Sequence, residues 1–135
     1  MELLKNLFII LHLPKRAGNV GSVARVMKNF GTKNLRIITN KKIIETFEAK
    51  KMAVHADDIL SKAEVFSELT SALADLNIVI GTTGKKHKES PERLNLRELE
   101  KILKLLHKNK IGILFGPEDR GLSGDELSYC NYAIT

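Results

Sequence analysis

The side chains best suited to chemistry sit in or beside two glycine-rich turns far apart in the chain: Asn19 and Arg25 with the first, Glu118 with the second. The first turn, Gly18-Asn19-Val20-Gly21-Ser22, follows the apolar run of residues 7–13 through Pro14-Lys15-Arg16. The second, Gly116-Pro117-Glu118-Asp119-Arg120-Gly121, follows Ile111-Gly112-Ile113-Leu114-Phe115. Turns at the carboxyl ends of buried strands are where open α/β sheets collect ligands, and glycine lets the backbone approach a ligand closely. An amide, a guanidinium and a carboxylate placed there suggest ligand binding. Each also has a plainer reading. Arg25 lies in a helix whose apolar face should be buried, so it needs a partner, and a structural ion pair would supply one. Glu118 taken alone is a loop carboxylate.

Other chemistries find no support in the residue pattern. The first turn lacks the G-x-G-x-x-G spacing, and no acidic residue ends the second strand to hold a ribose, so dinucleotide binding is not expected. His12, His55, His87 and His107 show no i, i+4 pairing and no Cys partner at ligand spacing, which disfavours a metal site; each reads as structural or solvent-facing. There is no G-x-S-x-G elbow. The Asp57-Asp58 pair reads as a polar turn. The basic stretch Lys85-Lys86-His87-Lys88-Glu89 follows a strand end, and is either a solvated loop or a phosphate contact.

The elements that must position these residues fit one domain spanning residues 1–135. A hydrophobic fraction of 43% and a charged fraction of 28% exclude disordered and disulfide-scaffold classes. Twenty-two Lys and Arg against sixteen Asp and Glu leave a net charge of +6, which steers a polyanion in. Aromatic residues make up only 5% of the chain and Trp is absent, which argues against an aromatic platform for single-stranded nucleic acid. The single cysteine, Cys130, forbids an intramolecular disulfide, suits a reducing cytosol and reads as an inert, partly buried thiol. The run 7–13 is too short to span a bilayer, and it is read as a first strand.

Hydrophobic spacing then alternates between the two regular periods. Residues 20–30 have helical spacing and close on Gly31 as a C-cap. Asn34–Ile38 is a short strand completing a right-handed β-α-β unit. Residues 43–54 and 67–76 are helical, with a brief strand-like segment at 57–60 between them. Residues 77–80 form a strand ending at Gly81-Thr82-Thr83-Gly84, residues 94–106 an amphipathic helix, and Ile111–Phe115 a strand. Ser123 with Glu126 three residues later forms a capping box, and a last strand lies near residues 132–135. The expectation is an α/β fold with a mostly parallel sheet and helices on both faces.

Taken together, residues 19–31 (Asn-Val-Gly-Ser-Val-Ala-Arg-Val-Met-Lys-Asn-Phe-Gly) and 114–123 (Leu-Phe-Gly-Pro-Glu-Asp-Arg-Gly-Leu-Ser) resemble motifs 1 and 2 of the SpoU (TrmH) RNA ribose methyltransferases. The Gly-Thr-Thr-Gly turn at 81–84 and the stretch 126–132 most resemble the TrmJ-like branch of that family, which methylates a ribose 2′-OH in the tRNA anticodon loop. The resemblance covers nearly the whole chain. It implies a SPOUT α/β-knot fold with a C-terminal trefoil knot, a homodimer and a cytoplasmic setting. It also implies S-adenosylmethionine held by loops that include Thr82, Thr83, Gly84 and Gly116. By the same resemblance Arg25, Asn19 and Glu118 are the catalytic set, with Arg25 acting together with a substrate phosphate. The RNA, a tRNA or alternatively an rRNA, would lie along Lys15, Arg16, Lys85, Lys86 and Lys88. The family's motif 3, a Ser-Leu-Asn segment, would follow soon after Thr135. The expectation is therefore a longer native protein, the other possibility being a shortened form with an incomplete knot. A catalytically silent RNA-binding relative and a flavodoxin-like nucleotide-binding domain are the competing readings.

Overall fold

The computed structural model describes residues 2–40, 42–84 and 91–135. Its strands are β1 (Leu7–His12), β2 (Asn34–Ile38), β3 (Glu64–Phe66), β4 (Ile78–Thr82), β5 (Glu92–Arg93), β6 (Ile111–Phe115) and β7 (Tyr132–Ile134). Among the described residues they form one seven-stranded sheet in the order β3-β2-β1-β6-β4-β7-β5. Every pairing is parallel. The helices are α1 (Ala17–Phe30), α2 (Phe47–Ala53), α3 (Asp57–Ser61), α4 (Leu69–Leu73), α5 (Leu96–Leu103) and α6 (Gly124–Leu127). No helix among the described residues is long and apolar enough to cross a membrane.

Strand periodicity of two assigns the core. Leu11, Leu35 and Ile37 pack against Val20, Ala24 and Met27 of α1 and against α2 and α3 on one face. Phe8, Ile10, Ile38 and Leu114 pack against α4 and α6 on the other. A third cluster, around Ile80, Leu106 and Ile111, seats α5. Parallel strands require helices on both faces, and this arrangement supplies them.

Two close fits organise the elements around the site. A Cβ on Gly21 would stand 2.0 Å from the Ala49 carbonyl oxygen, so α1 and α2 touch backbone to backbone where only glycine fits. On β2, the buried Arg36 donates to both Asp75 oxygens at 2.6 and 2.9 Å, and to Glu64 at 3.1 Å. Its guanidinium lies 4.3 Å from the centre of the Phe8 ring, a cation–π contact that helps compensate its burial.

Several elements depart from the sequence expectations. α1 begins at Ala17 rather than residue 20, so Asn19 and Gly21 stand on the first turns of a helix instead of in a loop; Gly31 closes it at φ 80° as expected. The helix expected over 43–54 is interrupted. A short 3₁₀ turn at Ile43–Glu45 ends at Thr46, whose side chain then caps α2. Residues 57–60, expected as strand-like, are helical because Ile59 and Leu60 both turn into the core below α1. The strand comes later, as β3, an edge strand too exposed to leave an apolar run. Gly81 and Thr82 belong to β4 rather than to the turn after it.

Candidate functional site

A parallel sheet places all carboxyl ends of its strands on one side. The pairs Leu11↔Phe115 and Gly81↔Leu114 show that β1, β6 and β4 end side by side. The turn after β1, the loop after β6 and residues 83–84 after β4 therefore converge. This is also where the connections change direction across the sheet, the position at which such folds bind ligands.

Glu118 ties the first two together. Its carboxylate accepts the backbone N–H of Lys15 at 3.1 Å, the N–H of Arg16 at 2.9 Å and the side-chain amide of Asn19 at 3.3 Å. Burial alone would push the Glu118 carboxyl up, but these donors outweigh it and hold it below its ordinary range. A carboxylate so occupied is an orienting group, not a proton acceptor. Because the Asn19 amide nitrogen faces the carboxylate, its Oδ1 is turned the other way, with no hydrogen-bond partner among the described residues. Asn19 can therefore accept a hydrogen bond from a bound hydroxyl.

The loop from Gly116 folds back on itself, with the Gly121 N–H donating to the Pro117 carbonyl at 2.8 Å. A Cβ on Gly116 would lie 2.4 Å from the Gly121 carbonyl carbon, so the fold-back requires glycine there. Behind the loop is a polar brace that sequence reasoning read only as a capping box. Glu126 caps Ser123 as expected, its Oε1 accepting the Ser123 N–H at 2.8 Å. It also accepts two bonds from Arg120 at 2.8 and 3.1 Å, and lies 2.6 Å from Nε2 of the buried His12. His12 is thus structural, as expected, and Nε2 carries the proton shared with Glu126. Burial would push the Glu126 carboxyl up, but Arg120, the Ser123 N–H and His12 bring it down to about 2.

Asp75 is likewise held at about 2 by its bonds to Arg36, against the opposing effect of burial. Both carboxylates titrate lower folded than unfolded, so their contribution to stability is fully present above about pH 4.5 and is lost as pH falls toward 2. For Glu126 the loss reaches about 3 kcal/mol; for Asp75, nearly half exposed, solvent screening makes it smaller. Thermal unfolding followed from pH 6 to pH 2 should show a falling midpoint. Glu126→Gln should flatten that fall, and an unchanged pH dependence would show that the brace carries no charge-linked stability.

The remaining expected site residues fall as follows. Thr82 Oγ1 donates to the Leu114 carbonyl at 3.1 Å, bridging β4 to β6. The Thr83 N–H donates to Ile134 at 2.8 Å, so its amide is committed to β7. Gly84 is exposed, with open space around its Cα, and Gly116 stands at the end of the neighbouring β6. Gly84 thus leaves its backbone open on the side a side chain would occupy, Gly116 is packed against the Gly121 backbone, and Thr82 and Thr83 tie β4 to β6 and β7. Arg25 is exposed and makes no hydrogen bond or ion pair among the described residues, which overturns the expectation that it needs a partner. A six-residue step along a helix turns it about 120° away from Asn19 and about 9 Å along the axis. The structure therefore does not bring Arg25 into contact with Asn19 or Glu118. Lys15 and Arg16 are exposed beside the site, and Lys85, Lys86 and Lys88 lie outside the described residues. Cys130 is buried, and burial pushes its thiol up to about 12, as suits an unreactive group.

A groove of about 610 Å³ runs from Asn19, Gly116 and Glu118 along the outer side of α1. It is lined by Leu7 and Ile9 of β1, by Val26 and Phe30 of α1, and by Phe115, and it carries no Lys or Arg. Val26 and Phe30 are 53% and 73% exposed, far more than a finished core allows.

Comparison with known proteins gives concordant results. The family described as SpoU rRNA Methylase matches residues 6–135. A tRNA (cytidine-2'-O-)-methyltransferase TrmJ of Methanocaldococcus jannaschii is 43% identical over 129 residues, which cover 94% of this chain and 56% of the relative. A tRNA (cytidine/uridine-2'-O-)-methyltransferase TrmJ of Cronobacter sakazakii is 34% identical over 134 residues, covering 98% of this chain and 54% of its own. The crystal structure of TrmJ from Z. mobilis ZM4 superposes with a TM-score of 0.86 at 32% identity, over 95% of this chain and 57% of that one. The chain thus spans about half the length of the curated relatives it matches.

Proposed function

The chain belongs to the SpoU rRNA methylase family, and from that premise we propose that it transfers a methyl group from S-adenosylmethionine to a ribose 2′-OH, with the tRNA anticodon loop as its substrate. The observation that carries this reading is the set of bonds that Glu118 accepts from Lys15, Arg16 and Asn19, which joins the two motif turns. The names of the matching relatives support tRNA as the substrate.

The bound cofactor supplies an electrophilic methyl carbon on a sulfonium. Gly84 and Gly116 would hold it through their backbone, on the frame that Thr82 and Thr83 fix. Asn19 Oδ1 would accept the 2′-OH hydrogen bond and orient that hydroxyl, while Glu118 keeps the amide from turning over. A ribose hydroxyl is a weak nucleophile at neutral pH, so methyl transfer, in which the methyl–sulfur bond would break and the thioether leave as the C–O bond forms, requires the hydroxyl proton to be taken up. A guanidinium cannot take that proton. Arg25 instead anchors the neighbouring phosphate through its planar fork, and the phosphate oxygen is the acceptor. Lys15 and Arg16 hold further backbone charge, and the sequence supports Lys85, Lys86 and Lys88 in the same role.

A homodimer covering the apolar groove beside α1, a C-terminal trefoil knot and a cytoplasmic setting complete the proposal. The exposed Val26 and Phe30 support the dimer, since a groove of that size whose walls along α1 are apolar calls for an apolar partner. The family description names rRNA, which makes rRNA methylation the second reading.

Calorimetric titration of the native protein is expected to show binding of S-adenosylmethionine and none of NAD. Tight NAD binding without a response to S-adenosylmethionine would overturn the proposal. Methyl transfer to tRNA against an rRNA fragment decides between the two substrates, and light scattering on the same sample decides the dimer.

A further inference from the structure

Two cavities flank the segment 42–51, the first of them sharing Asn19 with the apolar groove. One, of about 540 Å³, is bordered by Lys15, Arg16 and Lys42 with Asn19, Thr46 and Glu48. The other, of about 480 Å³, is bordered by Phe47, Lys50 and Lys51 with Ile44, Leu60 and Asp57. Phe47 opens α2 and is 76% exposed. Its backbone is not loosely held. Thr46 Oγ1 donates to the Ile43 carbonyl at 2.9 Å and accepts the Ala49 N–H at 3.1 Å, so the turn that carries the ring is fixed from both sides.

We propose that this segment is the docking surface for the unpaired RNA strand next to the methylated ribose: Lys42, with Lys15 and Arg16, grips a backbone phosphate beside Asn19, and Phe47 stacks one adjacent base. The inference rests on the reading of the protein as an RNA ribose methyltransferase. Charge complementarity selects the occupant. Three cations face one carboxylate, Glu48, in the first cavity, and two face Asp57 in the second. Lys15 meets Asp119 only at 4.0 Å with both side chains well exposed, a pair weak enough for a phosphate to displace. Phe30 and Phe115 are exposed too, but they line the groove that has no Lys or Arg, so stacking beside cations is offered at Phe47. The low aromatic content still rules out a platform for successive bases; one ring serves one base. Stacking on an aromatic side chain tolerates any base, because every base has a π-face, and it requires that base to be unpaired.

The test measures the affinity of the native protein for a ribo-oligonucleotide of about ten unpaired nucleotides and for an RNA duplex of equal length. Phe47→Ala should weaken single-strand binding roughly tenfold, Phe47→Tyr should restore it, and duplex binding should change little. Lys42→Ala should flatten the slope of log affinity against log salt by about 0.7 for the single strand. Both positions are exposed, so unfolding midpoints should match the wild type. Wild-type affinity and slope in both variants would overturn the inference and place the RNA elsewhere, for instance along Lys85, Lys86 and Lys88. So would variants that lose a protein partner while keeping RNA. A wild type that methylates tRNA with no dependence on Phe47 or Lys42 sinks only this surface. A wild type that binds RNA through them but ignores S-adenosylmethionine sinks the methyltransferase reading and leaves the surface standing.

Discussion

Arg25→Lys should lower the rate of ribose methylation by roughly a hundredfold or more, with the affinity for S-adenosylmethionine unchanged. The expectation follows from what surrounds Arg25. It is exposed on α1, and among the described residues it makes no bond that would explain it structurally. Lysine keeps the charge but loses the planar pair of donors that a phosphate accepts from two sides. If the phosphate must be held in one orientation to receive the ribose proton, a point charge on a flexible stem is a poor substitute. Single-turnover methyl transfer to tRNA at saturating cofactor isolates that step. A near-normal rate would reduce Arg25 to a surface cation and move the burden of phosphate orientation to Lys15 and Arg16.

Gly21→Ala should markedly destabilise this protein through a single added methyl group. The new Cβ would meet the Ala49 oxygen at 2.0 Å, the Ala49 carbonyl carbon at 2.9 Å and the Ala53 nitrogen at 3.0 Å. All three are backbone atoms of α2, so no side chain can swing aside, and the two helices must part. Overpacking of this kind costs about 3 kcal/mol, which lowers the unfolding midpoint on the order of 10 °C. α1 also carries Asn19, so parting the helices shifts the site. Calorimetric unfolding of Gly21→Ala beside Ser22→Ala is the measurement, since the Ser22 hydroxyl only bonds back to the Gly18 carbonyl at 3.1 Å. Equal midpoints would mean that α2 yields without cost.

Where a signal is local, the sequence could be read correctly. β1 and β6 are mostly apolar runs buried on both faces, Gly31 ends α1 with its own φ, and Ser123 and Glu126 close their capping box within four residues. Where the signal is relational, it could not. β5 has two residues, Glu92 and Arg93, and is a strand only because β7 lies beside it. Residues 57–60 carry adjacent apolar residues that suit either period, and the floor beneath α1 decided for helix. The candidate site divides in the same way. Asn19, Glu118 and Gly116 were visible through their turns, but the bond between Glu118 and Asn19 crosses 99 positions. The ties among His12, Arg120 and Glu126 have no spacing to betray them, and Lys42 is a lone cation whose value comes only from the cleft around it.

The bonds from Glu118 to Lys15 and Arg16 span 103 and 102 residues, and this separation sets a timetable for the growing polypeptide. During synthesis Lys15 leaves the ribosome roughly 5–20 s before Glu118 does. In that interval β1 can pair with β2, while its other edge, which will become the middle of the sheet, stays open to any strand that passes. The ligand crevice is built late: its two turns meet only when β6 inserts between β1 and β4, and residue 83 is pinned only once β7 follows. A nascent chain stalled before residue 111 would therefore be foldable in part, sticky along one edge and without function, a natural client for chaperones.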